Sequence, residues 1–288
     1  MSLSVAVAPH PLLEVGAFVT RLASPLAALA APPLPPPVGW TVDDATRASV
    51  RALLRHGGYK PSGRGKPASE YLAAAHAEGR FPQVNAVVDL CNHVSLASGL
   101  PISVIDVDLA RAPLTVAVCA PATSYVFNPS GQTIDASGLL ALHDVDGPCG
   151  TPVKDAQRTK THDETRVVLA IVWGSRDLPG RAARATAWYR ELSAALGAVE
   201  DVVLGQRFAV TTEATAAIAA STAPTNRYGA RPSVAPGSSG AVTWKPIATA
   251  VAVTTATVTT PAASRPARRA ATAPASASSA SAVSCPPT

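Results

Sequence analysis

Charge is scarce in this sequence, and what there is sits unevenly. Asp, Glu, Lys and Arg make up 15% of 288 residues, against 47% hydrophobic. No apolar run is both long and pure enough to span a membrane. No basic segment precedes the first apolar residues, which argues against a secretory leader. The four cysteines, Cys91, Cys119, Cys149 and Cys285, form neither a CxxC pair nor a close even framework. A reduced, cytoplasmic setting is therefore expected. The absence of GxSxG and HExxH removes the commoner serine and zinc hydrolases. SGRGK lacks the GxxxxGK[ST] spacing and is no P-loop. His143, Asp144 and Asp146 have no second cluster to complete a metal-ligand set and read as a polar turn.

The formal charge of +5 divides along the chain. Residues 202–288 hold seven of the 24 basic residues and only Glu213 of the 19 acidic ones. The first 201 residues are thus nearly neutral, and the high pI says nothing about a nucleic-acid surface on the folded body. Residues 207–288 are rich in Ala, Ser, Thr and Pro, too poor in large apolar groups to offset their ordering entropy, and read as a disordered tail. Within it Val251–Val258 has strand propensity. At the other end, Ser4–Ala8 suits a short strand, and Leu12–Ala30 carries helix-compatible apolar spacing broken by Pro25. Pro32 to Pro37 form an extended connector. The organisation expected is 1–40 as an N-terminal piece, 41–206 as the main domain and 207–288 as the tail.

The stretch Phe81–Asp108 organises the rest. Val84, Val87, Val88, Cys91, Val94 and Ser95 recur at helical spacing, Gly99 suits a left-handed C-cap, and Ile102–Val107 follows as a strand. Asn85, Asp89 and Asn92 fall in one narrow sector away from the valines, where they line a polar pocket or face water. Before it, a helix opens near Thr41, with Asp43 and Asp44 in its first turn and Arg55 and His56 in its last. Residues 45–69 then carry Arg47, Arg51, Arg55, Lys60, Arg64 and Lys66 and no acid. The three arginines share a helix face, and the other cations lie in the glycine-rich loop GGYKPSGRGKP. Such repelling charges would be relieved by phosphate, or simply by water. A short helix follows Pro67 and stops at Gly79. Strands are expected at Leu114–Val118, Tyr125–Phe127 and Val167–Trp173, and an amphipathic helix from Ala182 to Leu196.

Three pieces carry a family resemblance: Ala68–Leu72, Val84–Asp108, and Gln157–Thr165 (QRTKTHDET). In order and spacing they resemble the B3/B4 tRNA-binding and editing domain of the bacterial phenylalanyl-tRNA synthetase beta subunit, and more closely its free-standing single-domain relatives, across roughly residues 45–200. The resemblance implies an α+β fold with mixed and antiparallel sheets packed against helices. It implies tRNA or aminoacyl-tRNA as partner, no cofactor, and, for an enzyme, an aminoacyl-tRNA deacylase without the ligase active site. A positioned water suffices for an already activated ester, so no covalent nucleophile is needed. By position, the family's helix aspartate and asparagine fall on Asp89 and Asn92 and its strand-end aspartate on Asp106. Its pocket threonine falls on Cys91, its histidine on Ser103, and its glutamate within a residue or two of Gln157. With three pocket positions altered, tyrosine discrimination is not carried over, and a non-catalytic amino-acid binder or a degenerate paralogue remain alternatives. The candidate substrate residues are Asn85, Asp89, Cys91, Asn92, Ser103, Asp106 and Gln157; Cys91, on the apolar arc, also reads as a small core residue. The candidate RNA contacts are Lys60, Arg64, Lys66, Arg158 and Lys160, the last two in a loop that either touches RNA or caps the following strand.

Overall fold

The computed structural model describes residues 2–37 and 39–206. The chain opens with strands β1 (Ser4–Val7) and β2 (Leu13–Leu22), followed by helices α1 (Asp44–Arg55), α2 (Ala68–Ala77) and α3 (Ala86–Ser98). Next come β3 (Ile102–Asp106), β4 (Leu114–Val118), the hairpin of β5 (Ser124–Val126) and β6 (Thr133–Asp135), β7 (Leu140–Asp144), β8 (Gly147–Gly150) and β9 (Val167–Ser175). Helix α4 (Arg181–Ser193) and strands β10 (Gly197–Asp201) and β11 (Val203–Gln206) complete the described part. One sheet has the order β11-β1-β4-β7-β8, the other β10-β2-β9-β3. Strand β1 pairs in parallel with β11 and β4, and the remaining pairs are antiparallel. This is the α+β class that the resemblance implies.

Strand β9 is the spine of the second sheet. Its apolar run VVLAIVW is flanked on both sides by strands, so every residue from Val168 to Trp173 is buried. Helices α3 and α4 cover that sheet, and Phe18 of β2 meets Tyr189 of α4 edge to face at 4.9 Å. Small residues allow the approach. A Cβ on Gly174 would collide with Ala182, and one on Gly16 with Thr186, so α4 lies directly on the strands. The proline-rich connector runs as a strap over α3 and α4. His93 Nε2 lies 2.8 Å from the Pro35 carbonyl, Arg184 donates to Gly39 O, and Trp40 stacks near Trp188 and Arg184.

Several boundaries differ from the sequence reading. Leu13–Leu22 is a ten-residue strand where helical spacing was expected. Its β-branched and aromatic residues (Val15, Phe18, Val19, Thr20) fit either period, and nine register pairs with β9 decide the matter. Residues 1–40, set apart in the sequence, thus contribute β1 and β2 to the same two sheets as residues 41–206. Asp43, rather than Thr41, caps α1: its Oδ1 accepts from Thr46 N at 2.8 Å and from the Thr46 hydroxyl at 2.7 Å. Helix α3 begins at Ala86, leaving Val84 outside it and 63% exposed. The tail 207–288, with Val251–Val258 and Cys285, lies outside the described residues. Among those described, no helix is long and apolar enough to cross a membrane.

Candidate functional site

The loop GGYKPSGRGKP is built to hold a shape. Tyr59 is buried and its hydroxyl donates to Gly65 O at 3.2 Å. Gly65 N reaches back to Ser62 O, and Gly57 sits so close against Gly138 that neither has room for a Cβ. The positive φ of Gly58 and of Gly63 turns the chain where other side chains would strain it. Lys60, Arg64 and Lys66 project from this frame, and no ion pair is recorded for them among the described residues.

A depression opens on each side of the loop. On one side, a groove of about 550 Å³ runs between α2 and the start of α3. Its walls include Tyr71, Leu72, Pro82, Val84 and Val153, its rim Arg64, Lys66 and Lys154, and Asn92 also lines it. Tyr71 and Val84 are each more than 60% exposed, an unusual position for large apolar side chains. On the other side, a groove of about 540 Å³ is lined by Lys60, Arg64, Thr133, Asp135 and Ser137, so Arg64 stands between the two. Lys154 lies 4.2 Å over the Phe127 ring, and burial together with the Arg64 charge lowers its pKa. Lys160 donates to Phe127 O at 2.5 Å; burial lowers its pKa too, against the attraction of Asp155.

The other residues singled out in the sequence take different places. Asn85 is the N-cap of α3, its Oδ1 accepting from Val88 N at 2.9 Å and its amide reaching Thr161 at 3.4 Å. Asp89 accepts from Val84 N at 2.8 Å. Both therefore tie down the helix entry, whereas Asn92 lines the α2–α3 groove. Asp106 is buried beneath the loop Thr161–Thr165, taking hydrogen bonds from Thr165 (2.6 Å) and Asp108 N (2.8 Å), with His162 Nε2 at 3.3 Å. The loop thus joins the entry of α3 to the end of β3.

Cys91 and Ser103 face inward. The Cys91 thiol donates to Ile102 O at 3.7 Å, and burial raises its pKa, so it is a core group. Ser103 donates to Thr151 O at 3.0 Å and accepts from the Trp173 indole at 2.9 Å. Gln157 keeps its Oε1 buried without a hydrogen bond. Arg158 forks onto Asp144 through two 2.7 Å bonds and also reaches Gly147 O and Pro148 O. Burial opposes ionisation of Asp144, yet Arg158 and the Arg111 and Asp146 N–H groups hold its carboxyl below the usual range. Arg158 and Asp144 thus form one side of the β7–β8 turn, where the sequence suggested an RNA contact. Arg51 is likewise committed, to Glu70, by two 2.6 Å bonds, and Arg47 to Asp44.

Two residues went unremarked in the sequence. Lys154 adds a cation to the groove rim. Asp155, next to it, bridges the two sheets: its carboxylate accepts from Val104 N (3.1 Å) on the free edge of β3 and from Thr151 N (3.0 Å) after β8. The residue is half-buried, but protein encloses its carboxyl, and that burial lifts the pKa to about 6 against the opposing Ser103, Thr151 and Val104 hydrogen bonds. The adjacent Lys-Asp pair in TPVKDAQRTK was the available signal.

The fold and the grooves define an α+β protein with an apolar, cation-rimmed cleft. No protein-family model matches the chain, and no curated protein does. Among solved structures it is similar to an N-terminal fragment of the phenylalanyl-tRNA synthetase beta subunit from Pyrococcus horikoshii, at 10% identity and a TM-score of 0.43, over 71% of this chain and 52% of that one. The chain thus spans about half the length of that fragment.

Proposed function

We propose that the chain is a free-standing tRNA-binding module that receives the aminoacylated 3′ end of a tRNA in the α2–α3 groove and releases a wrong amino acid in trans. The observation that carries this reading is the groove itself, in which apolar walls for an amino-acid side chain meet Arg64, Lys66 and Lys154 at the rim for the adjoining phosphate. The motif resemblance across residues 45–200 points to the same partner. In the reaction, water adds to the ester carbonyl and the bond to the ribose oxygen breaks. The products are the free amino acid and a ribose hydroxyl. Asn92 offers both a donor and an acceptor beside that carbonyl. Cys91 takes no part, since its thiol belongs to the core.

A second reading, a binding protein for a free amino acid, is favoured by one observation. Cys91 and Ser103, at two of the altered pocket positions, are held in the core and do not line the groove, whose carboxylate, Glu70, is taken up by Arg51. A panel of mischarged tRNAs incubated with the full chain separates the two. Hydrolysis of at least one, together with a tRNA mobility shift at low salt, is expected. Amino-acid binding that is indifferent to salt, with neither of those results, replaces the first reading by the second.

A further inference from the structure

The groove on the far side of the basic loop is as large as the first and shares Arg64 with it, but its chemistry differs. Where the α2–α3 groove has apolar walls, this one is lined by Asp135, Thr133 and Ser137 together with Lys60 and Arg64. Asp135 is exposed, and only one of its carboxylate oxygens is engaged: Oδ1 accepts from Ser137 N at 2.9 Å and from the Ser137 hydroxyl at 2.6 Å. Those two bonds aim the carboxylate and leave Oδ2 without a recorded protein partner. The floor is rigid, because Tyr59 is anchored on Gly65 and Gly57 is pressed against Gly138.

A carboxylate that shares a groove with two cations can discriminate among nucleobases. It accepts from an exocyclic amino group, such as N4 of cytosine, and is repelled by the O4 carbonyl that uracil presents at the same edge. Lys60 and Arg64 offset its repulsion of the neighbouring phosphates. Resting on the tRNA reading above, we propose that this second groove is a base subsite for the nucleotide preceding the terminal one. Arg64 holds the phosphate between the two nucleotides, and Asp135 selects an amino-bearing base, cytosine in a CCA end, over uracil. The ligand is accordingly a single-stranded RNA 3′ end of at least two nucleotides, divided between two grooves.

Fluorescence anisotropy of the full chain with a short 5′-labelled RNA ending in CCA tests this, against the same RNA ending in CUA. The CCA form is expected to bind about tenfold more tightly, ~1.4 kcal/mol. Asp135→Asn, which can donate as well as accept, is expected to bring the two within about twofold while leaving the salt dependence unchanged, since Asp135 neutralises no phosphate. Equal binding of both RNAs by the unaltered protein, or full discrimination retained by D135N, overturns the subsite while RNA binding stands. Failure to bind either RNA at low salt overturns the tRNA reading and the subsite together. The comparison of the two RNAs needs no variant, so the folding of D135N does not decide it.

Discussion

Two carboxylates at the heart of the fold show how a residue's surroundings set its charge. Asp155 has its pKa raised to about 6 from an ordinary 3.8, chiefly by burial. Between about pH 4 and 6 the folded state therefore holds a proton that the unfolded chain has released, and this group makes stability fall as pH rises through that window. Subtracting the pH profile of Asp155→Asn from that of the unaltered protein, by urea midpoints, should leave a slope of that sign. A flat difference would mean the carboxyl titrates as in water. Asp144 behaves in the opposite sense: its pKa is lowered, so its contribution is lost as pH falls. Arg158→Ala strands this buried carboxylate and should cost about 3–5 kcal/mol at neutral pH, with the deficit shrinking on acidification as Asp144 takes up a proton. Neither pairing could be read from the sequence. Asp144 and Arg158 lie 14 residues apart, and Arg51 and Glu70 lie 19 apart. The run of six cations was legible as composition, but Glu70, which neutralises Arg51, comes from another helix, and Asp44, which pairs with Arg47, lies just ahead of the run.

Elements were legible where one period dominated. VVLAIVW read as a buried central strand, and Leu114–Val118 follows its alternation. Leu13–Leu22 was not legible, because its apolar spacing suits two periods and its partner β9 lies some 150 residues away. Helix α3 was placed correctly but entered two residues too early, since Asn85 looks like a face residue until its side chain is seen capping Val88. Asn85→Ala should therefore cost about 1 kcal/mol of stability, as the loss of an N-cap does. Thermal melting would measure this. The close approach of α4 to the sheet gives a sharper expectation. Gly174→Val has to push Ala182 aside and should destabilise the protein by about 1–3 kcal/mol or more, whereas Gly205→Ala meets nothing within 4 Å and should leave the midpoint unmoved.

At the scale of the molecule, the sheets and helices of the described residues place one rigid basic loop between two grooves. The cations of that loop were visible in the sequence. The apolar wall they face was not, because Tyr71, Val84 and Val153 come from three separate elements and each, taken alone, reads as an unremarkable surface or core residue. The cleft lies on the α2 side of α3, where Asn92 lines it. The most direct measurement is the salt dependence of tRNA binding by the full chain and by the Lys60→Ala, Arg64→Ala, Lys66→Ala triple variant. If these three side chains neutralise phosphates, the slope of log K against log salt should be shallower in the variant by roughly 2, with weaker binding at low salt. Identical slopes and affinities, or no tRNA binding by the unaltered protein, would contradict the assignment of this loop and its grooves to RNA.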